Sequence, residues 1–244
     1  MNSVKTALRV LEAVAAHQPA GLSDLTRRLG LPKSTVQRCL ATLHDAGWIR
    51  PGGHELTRWV VTGRAFSVGS QVANTRNLRE VALPALSDLQ AATLETIHLM
   101  VPDDAEMVLI ERLDSAHELR TFKPLGSRAP LHATSNGKAV LAHLPAEEAG
   151  AYLSAHLEPV TAHTVTDPAA LRGQLATVRR RGYAINEGEL HDGVTSIGAA
   201  IVSDGRPVAS LSISAPSSRL TPGKYTDYGA RVVAAAQQIA TALA

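Results

Sequence analysis

The sequence predicts an α+β fold in two parts, and three observations predict it. The first quarter is basic and carries three short amphipathic helical patterns followed by a hairpin signal. Beyond it, strands and helices mix without the strict alternation of a doubly wound sheet, so an antiparallel sheet is expected. The chain then closes on a long alanine-rich helical segment. At 244 residues, 45% of them apolar, it is long enough for two domains.

Val4 to His17 reads as a helix, with Val4, Ala7, Leu8, Leu11 and Val14-Ala15 on one face. Pro19-Ala20-Gly21 breaks it, and Ser23 is placed to cap a short helix through Leu29. Gly30 stands where a left-handed C-terminal residue is wanted. After the Leu31-Pro32 turn, a helix from Lys33 to Ala46 turns Val36, Leu40 and Leu43 inward and stops at Gly47. Trp48-Ile49-Arg50 and Leu56–Val61 then flank a turn-rich tip, Pro51-Gly52-Gly53-His54-Glu55. Gly63 to Ala92 is mostly helical, with an interruption near Asn74–Asn77 taken as the interdomain linker.

In the second part, Thr96–Val101, Met107–Leu113 and Leu119–Phe122 read as consecutive antiparallel strands. Helices follow at Ser135–His143, Ala146–Ser154 and Pro168–Arg181. Strands return at Tyr183–Asn186, Ser196–Val202 and Pro207–Ser214, before the last helix from Pro222 to Ala244. The expected domains are residues 1–64, a linker helix over 65–77, and residues 78–244.

Net charge is only +2, but its distribution is uneven. Up to Arg64 there are nine basic residues and four acids, an excess of five that leaves −3 for the rest. A basic head on a mildly acidic body points to a polyanionic partner for the head alone. No apolar run approaches the roughly 20 residues of a membrane span. The first residues lack the basic stretch and apolar core of a signal peptide. A single cysteine, Cys39, leaves no intramolecular disulfide framework and packs as a small hydrophobe beside Val36 and Leu40. A cytoplasmic protein without a membrane partner is expected.

Helix, turn, helix and hairpin at these lengths make a winged helix-turn-helix, whose second helix enters the major groove of double-stranded DNA. Ser34, Thr35, Gln37 and Arg38 lie opposite the packing face of that helix. Gln can bond adenine and Arg guanine in bidentate fashion, while Lys33 at the helix start suits a phosphate. Arg50, His54 and Arg58 on the hairpin are placed for backbone or minor-groove contacts. One recognition helix reads only a few base pairs, so a homodimer on a palindromic or near-palindromic operator is expected, with Phe66, Val68 and Val72 available for pairing.

Three further segments carry a family resemblance. Gly126–Ala139 is similar to the central motif of the IclR family of bacterial regulators. Gly182–Glu189 resembles its second motif, and Ser196–Ile201 with Leu211–Pro216 and Arg219-Leu220 its third. With the head, the resemblance spans nearly the whole chain in order. It implies a GAF-like effector-binding domain and a homodimer, with a dimer of dimers as a further assembly. It also implies a regulator, more often a repressor than an activator, whose operator affinity a small organic effector controls.

The resemblance places that effector against Leu131, Ser135, Asn136, Gly137, Asn186, Ser196, Ser212 and Ser214. The residues are compatible with this. A helix starting at Ser135 presents N–H groups to a carboxylate, and Ser212 and Ser214, two apart on a strand, share a face. Many members have an acid at the position of Asn186 and a cysteine at that of Ser196. Here both are neutral, and Leu99, Met100 and Leu131 supply apolar surface, so the expected effector differs from a 2-oxo acid: a larger carboxylic acid, an aromatic metabolite or a neutral amide-like compound.

Other chemistries lack their partner motifs. Ser135-Asn136-Gly137-Lys138 matches S-x-x-K, but the S-D-N and K-T-G segments of the penicillin-binding chemistry are absent. No histidine motif for zinc and no phosphate-binding glycine loop occurs, so neither a metal, a cofactor nor catalysis is expected. The reading of another class is an enzyme or small-molecule-binding protein that uses the helix-turn-helix only to dimerise.

Overall fold

Apolar residues three and four apart build the head around one small core. The structure, a computed structural model, describes residues 3–52, 58–69 and 73–243. It divides into two units, Met1–Ala73 and Asn74–Ala244. In the first, α1 (Ser3–His17), α2 (Leu22–Leu29) and α3 (Lys33–Asp45) meet through Val10, Val14, Leu25, Val36, Leu40 and Leu43. Cys39 is buried in the same core. The buried face of α1 is Thr6, Val10 and Val14, so it is rotated from the expected one, and Val4 and Leu8 are exposed.

Gly30 caps α2 at φ 62°, its N–H donating to Thr26 O. Ser23, expected as the N-cap, lies inside α2, whose cap position is Gly21. The expected break at Pro19–Gly21 also holds a strand. β1 (Ala20–Gly21) pairs antiparallel with β3 (Arg58–Val61), which pairs with β2 (Ile49–Pro51). Two residues between helices carry no periodicity, so only the partner strand reveals β1. Of the expected hairpin tip, Pro51 ends β2 and Gly52 N–H donates to Arg58 O at 2.7 Å, while Gly53, His54 and Glu55 lie outside the described residues. A short helix, α4 (Gly63–Gly69), ends the unit.

The second unit is a six-stranded antiparallel sheet with helices on both faces. Its elements are α5 (Ala73–Thr93), β4 (Thr96–Asp103), β5 (Glu106–Leu113), β6 (Arg128–Pro130), α6 (Ser135–His143), α7 (Ala146–Ser154), α8 (Pro168–Arg181), β7 (Ala184–Glu187), β8 (Val194–Ser203), β9 (Arg206–Pro216) and α9 (Tyr225–Leu243). The strand order is β6-β5-β4-β9-β8-β7. α5 is helical through 74–77, where an interruption was expected; α4 and α5 are separated by residues 70–72, Val72 among them, which lie outside the described residues.

The expected strand at Leu119–Phe122 is irregular, and β6 occupies its place beside β5. Leu119 and Phe122 are exposed, so the apolar residues that suggested a strand do not bury one.

Strand alternation sorts side chains between two cores. Leu211, Ile213 and Ala215 of β9, with Ile197, Ala199 and Ile201 of β8, face α5 and α9. Ser210, Ser212 and Ser214 alternate with them onto the other face, which α6 covers, and all three are buried. A polar strand face under a helix start is unusual for packing alone, and it is where a cavity forms.

Candidate functional site

In the first unit the candidate site is the exposed side of α3. Thr35 and Val36 N–H donate to Pro32 O at 2.9 and 3.1 Å, so the helix starts directly from the turn. Val36, Cys39, Leu40 and Leu43 point into the core, which leaves Lys33, Ser34, Gln37 and Arg38 exposed and Thr35 half-buried. No carboxylate among the described residues pairs with Lys33 or Arg38; the only described ion pair of the head is Arg27 with Asp24. Arg50 is exposed on β2, and Arg58 on β3 donates to Pro19 O at 3.2 Å. Arg64, counted in the basic excess, instead holds Ala46 O at 2.7 Å and lies over the Trp48 ring.

In the second unit the candidate site is a cavity of about 180 Å³ between the polar strand face and the start of α6. Asn136, Asn186, Ser196, Ser212 and Ser214 line it, as do Met100, Leu109 and Val194 from the strands. The register explains the convergence: Asn186 pairs with Ser196, Ser196 with Ser214, and Ser212 with His98, laying them across four adjacent strands.

Three expected residues stand outside the lining. Ser135 is fully buried and donates to Ser196 Oγ at 2.8 Å, leaving the Ser196 hydroxyl hydrogen free to turn toward the cavity. Leu131 belongs to the core beneath α6. Gly137 is a close-approach position, where a Cβ would lie 2.2 Å from Leu131 O. Leu99, expected nearby, is buried in the core on the opposite sheet face.

The helix start is less available to an anion than its sequence suggests, because Thr134 caps it, accepting from Gly137 N–H at 2.9 Å. Asn186 is also committed. Its amide donates to Ala133 O at 2.5 Å, and its Oδ1 accepts from Glu189 N–H at 3.1 Å. A carboxylate at this position could not donate to Ala133 O, which accounts for the amide. The Ser212 hydroxyl has no hydrogen-bond partner among the described residues and is the freest polar group of the floor.

Sequence reasoning missed the roof. Thr121, Phe122, Lys123, Leu190 and His191 close the cavity from two connections, and His98 enters from β4. His98 was legible in principle, since it lies two residues from Met100 on the same strand face. The connections carry no periodicity that would have placed Lys123 or His191. Burial, then Lys123 and Arg112, push the His98 imidazole down to about 3, so it is neutral. Burial also lowers the Lys123 ammonium to about 8 and moves His191 in the same direction. None of the residues lining the cavity is an aspartate or glutamate.

The Ser-x-x-Lys lysine has no catalytic setting. Lys138 is buried against Glu189, donating to Oε2 at 2.6 Å, and Ser135 is turned to Ser196.

Comparison with known proteins gives one answer along the chain. The family model described as the IclR helix-turn-helix domain matches residues 3–52, and that of the bacterial transcriptional regulator IclR C-terminal matches 70–241. The chain is 35% identical to the transcriptional repressor IclR of Escherichia coli over 99% of its length and 90% of that protein's. It is also 35% identical to the repressor AllR of Klebsiella pneumoniae, over 92% of the chain and 83% of that protein. Among solved structures, an IclR homolog from Microbacterium hydrocarbonoxydans complexed with 4-hydroxybenzoate superposes at TM-score 0.83 and 30% identity, covering 99% of both chains. The Thermotoga maritima IclR matches at TM-score 0.80 and 28% identity, over 100% of this chain and 99% of that one.

Proposed function

The chain belongs to the IclR family of bacterial transcriptional regulators, and from that premise we propose how its two sites divide the work. The protein is a DNA-binding regulator controlled by a small organic effector, and its named relatives are repressors and regulators rather than enzymes. We assign operator reading to Ser34, Thr35, Gln37 and Arg38, and phosphate contacts to Lys33, Arg50 and Arg58, with His54 of the hairpin joining them. The exposed basic side chains of Lys33 and Arg38, which have no ion-pair partner among the described residues, support this. The working form is a cytoplasmic homodimer, or a dimer of dimers, on a near-palindromic operator, and exposed Phe66 and Val68 on α4 supply apolar surface for pairing.

The effector is a small organic acid of about one ring, seated in the cavity of residues 78–244. The single observation that carries this is the lining itself: hydroxyls from Ser196, Ser212 and Ser214, apolar Met100 and Leu109, and no carboxylate. A cavity of about 150 Å³ holds a benzene ring, and this one measures about 180 Å³. The similar structure with bound 4-hydroxybenzoate supports the same ligand size.

The test is the double variant Ser212→Ala/Ser214→Ala. Operator binding without effector stays at the wild-type level, because the variant leaves the residues of α3 untouched. Release of operator by 4-hydroxybenzoate, read by fluorescence anisotropy, shifts to concentrations at least about fivefold higher, for one or two lost hydrogen bonds. An unchanged response places the effector elsewhere.

A further inference from the structure

We propose that Lys123, carried by the connection between β5 and β6, makes the cavity selective for anionic effectors, with the Nε2 of His98 as its partner donor. This rests on reading the cavity as the effector site. Lys123 lines the cavity beside His98 and His191, and no carboxylate among the described residues neutralises it. His98 Nε2 is buried with no hydrogen-bond partner among the described residues. A neutral imidazole can present N–H there, so a bound carboxylate would satisfy an otherwise orphaned atom.

The connection that carries Lys123 is tied down along its length. Arg112 donates to the Lys123 carbonyl and packs on the Phe122 ring at 4.0 Å. Arg219 donates to Leu119 O at 2.9 Å, and Thr121 Oγ1 donates to Ser214 Oγ at 3.4 Å. Lys123 thus lines a cavity whose Ser212 and Ser214 hydroxyls supply further donors. Hydroxyl and imidazole donors alone would also accept a neutral amide; the ammonium adds the preference for charge.

The charge has a pH signature. His98 on β4 and His191 from the turn after β7 are the ionisable groups that feel Lys123, and Arg112 on β5 and Asp114 after it act on the same His98. Burial leaves the empty-site ammonium titrating at about 8. A bound anion favours the charged form and raises that value. Affinity is therefore level below about pH 8 and falls above it, by up to about tenfold per unit, until the bound-state value is passed.

The experiment is calorimetric titration of the full chain with benzoate, 4-hydroxybenzoate and pyruvate, and with benzamide as the neutral probe, at pH 7.0 and pH 9.5. In the wild type at least one carboxylate binds more tightly than benzamide at pH 7.0 and loses about tenfold at pH 9.5. Lys123→Gln loses at least about tenfold for that carboxylate at pH 7.0, leaves benzamide unchanged and has no loss at pH 9.5, whereas Lys123→Arg retains affinity at both. Carboxylate binding by Lys123→Gln equal to wild type, or a wild-type affinity level through pH 9.5, overturns the role of Lys123 while the cavity assignment stands. If no carboxylate binds the wild type, or if Ser212→Ala/Ser214→Ala binds it undiminished, the cavity assignment itself fails and takes this inference with it.

Discussion

Lys138 Nζ donates to Glu189 Oε2 at 2.6 Å, with the lysine side chain 1% exposed and the glutamate 7%. The pair ties α6, whose start borders the cavity, to the turn after β7, which supplies Leu190 and His191 to the roof. Burial lowers the Lys138 ammonium and Glu189 opposes that shift. The salt bridge therefore offsets only part of its own desolvation, and its value lies in holding the turn.

Removing one partner strands the other charge in the interior. Lys138→Met is expected to cost about 3–5 kcal/mol of unfolding free energy, read by urea denaturation. Adding Glu189→Gln to it should recover a large part of the loss. A single variant within 1 kcal/mol of wild type, a bound set well below that range, contradicts a buried charged pair.

Gly137 admits no side chain. A Cβ there would sit 2.2 Å from Leu131 O and 2.4 Å from Leu131 Cα, both backbone atoms that cannot swing aside. Gly137→Ala should lose about 1–3 kcal/mol or more as α6 is pushed from the turn before it, seen as a lower Tm. Gly150→Ala, on α7 with open space around its Cβ position, is the control and should melt at or above the wild-type temperature.

Acid stability should report His98. Its folded-state value of about 3 lies below the unfolded 6.5, so the unfolded chain binds the extra proton between them. The stabilising contribution is fully present above pH 6.5 and is lost as pH falls toward 3, at about 1.4 kcal/mol per unit. Comparison with His98→Gln isolates this slope from the carboxylates, which titrate in both proteins. Parallel stability curves for the two over that window would show that His98 is not held neutral.

On DNA, Lys33→Ala should weaken operator and random sequence alike and flatten the salt slope by about one ion. Arg38→Ala or Gln37→Ala should cost about 1–3 kcal/mol on the operator and much less on random DNA. Isotherms across a salt series separate the two behaviours. Equal operator and random losses at Arg38 would reduce it to general electrostatics.

The helices were legible wherever an apolar period of 3.6 met a capping residue. α3 packs through Val36, Leu40 and Leu43 as their spacing requires, and Gly30 and Gly182 close their helices at positive φ. Alternation in β9 put Ser212 and Ser214 on one face, and the structure brings both to one cavity with Asn136, Asn186 and Ser196. The third strand was misplaced because Leu119–Phe122 has the composition of a strand but stays exposed, whereas Arg128–Pro130 finds β5. Burial against a partner, which decides strand pairing, is not a local property.

What the amino-acid sequence by itself determined is most of the helices and strands, the exposed face of α3 and the shared face of Ser212 and Ser214, because each follows from local periodicity. What only the tertiary structure decided is which groups that serine face meets. Lys123, His98 and His191 reach it from separate connections and strands, and the Thr134 cap and the Ala133 carbonyl remove Gly137 N–H and one of the two Asn186 amide hydrogens from the donors left for a ligand. Long-range chain packing sets those distances and takes up those hydrogen bonds, and no local spacing encodes it.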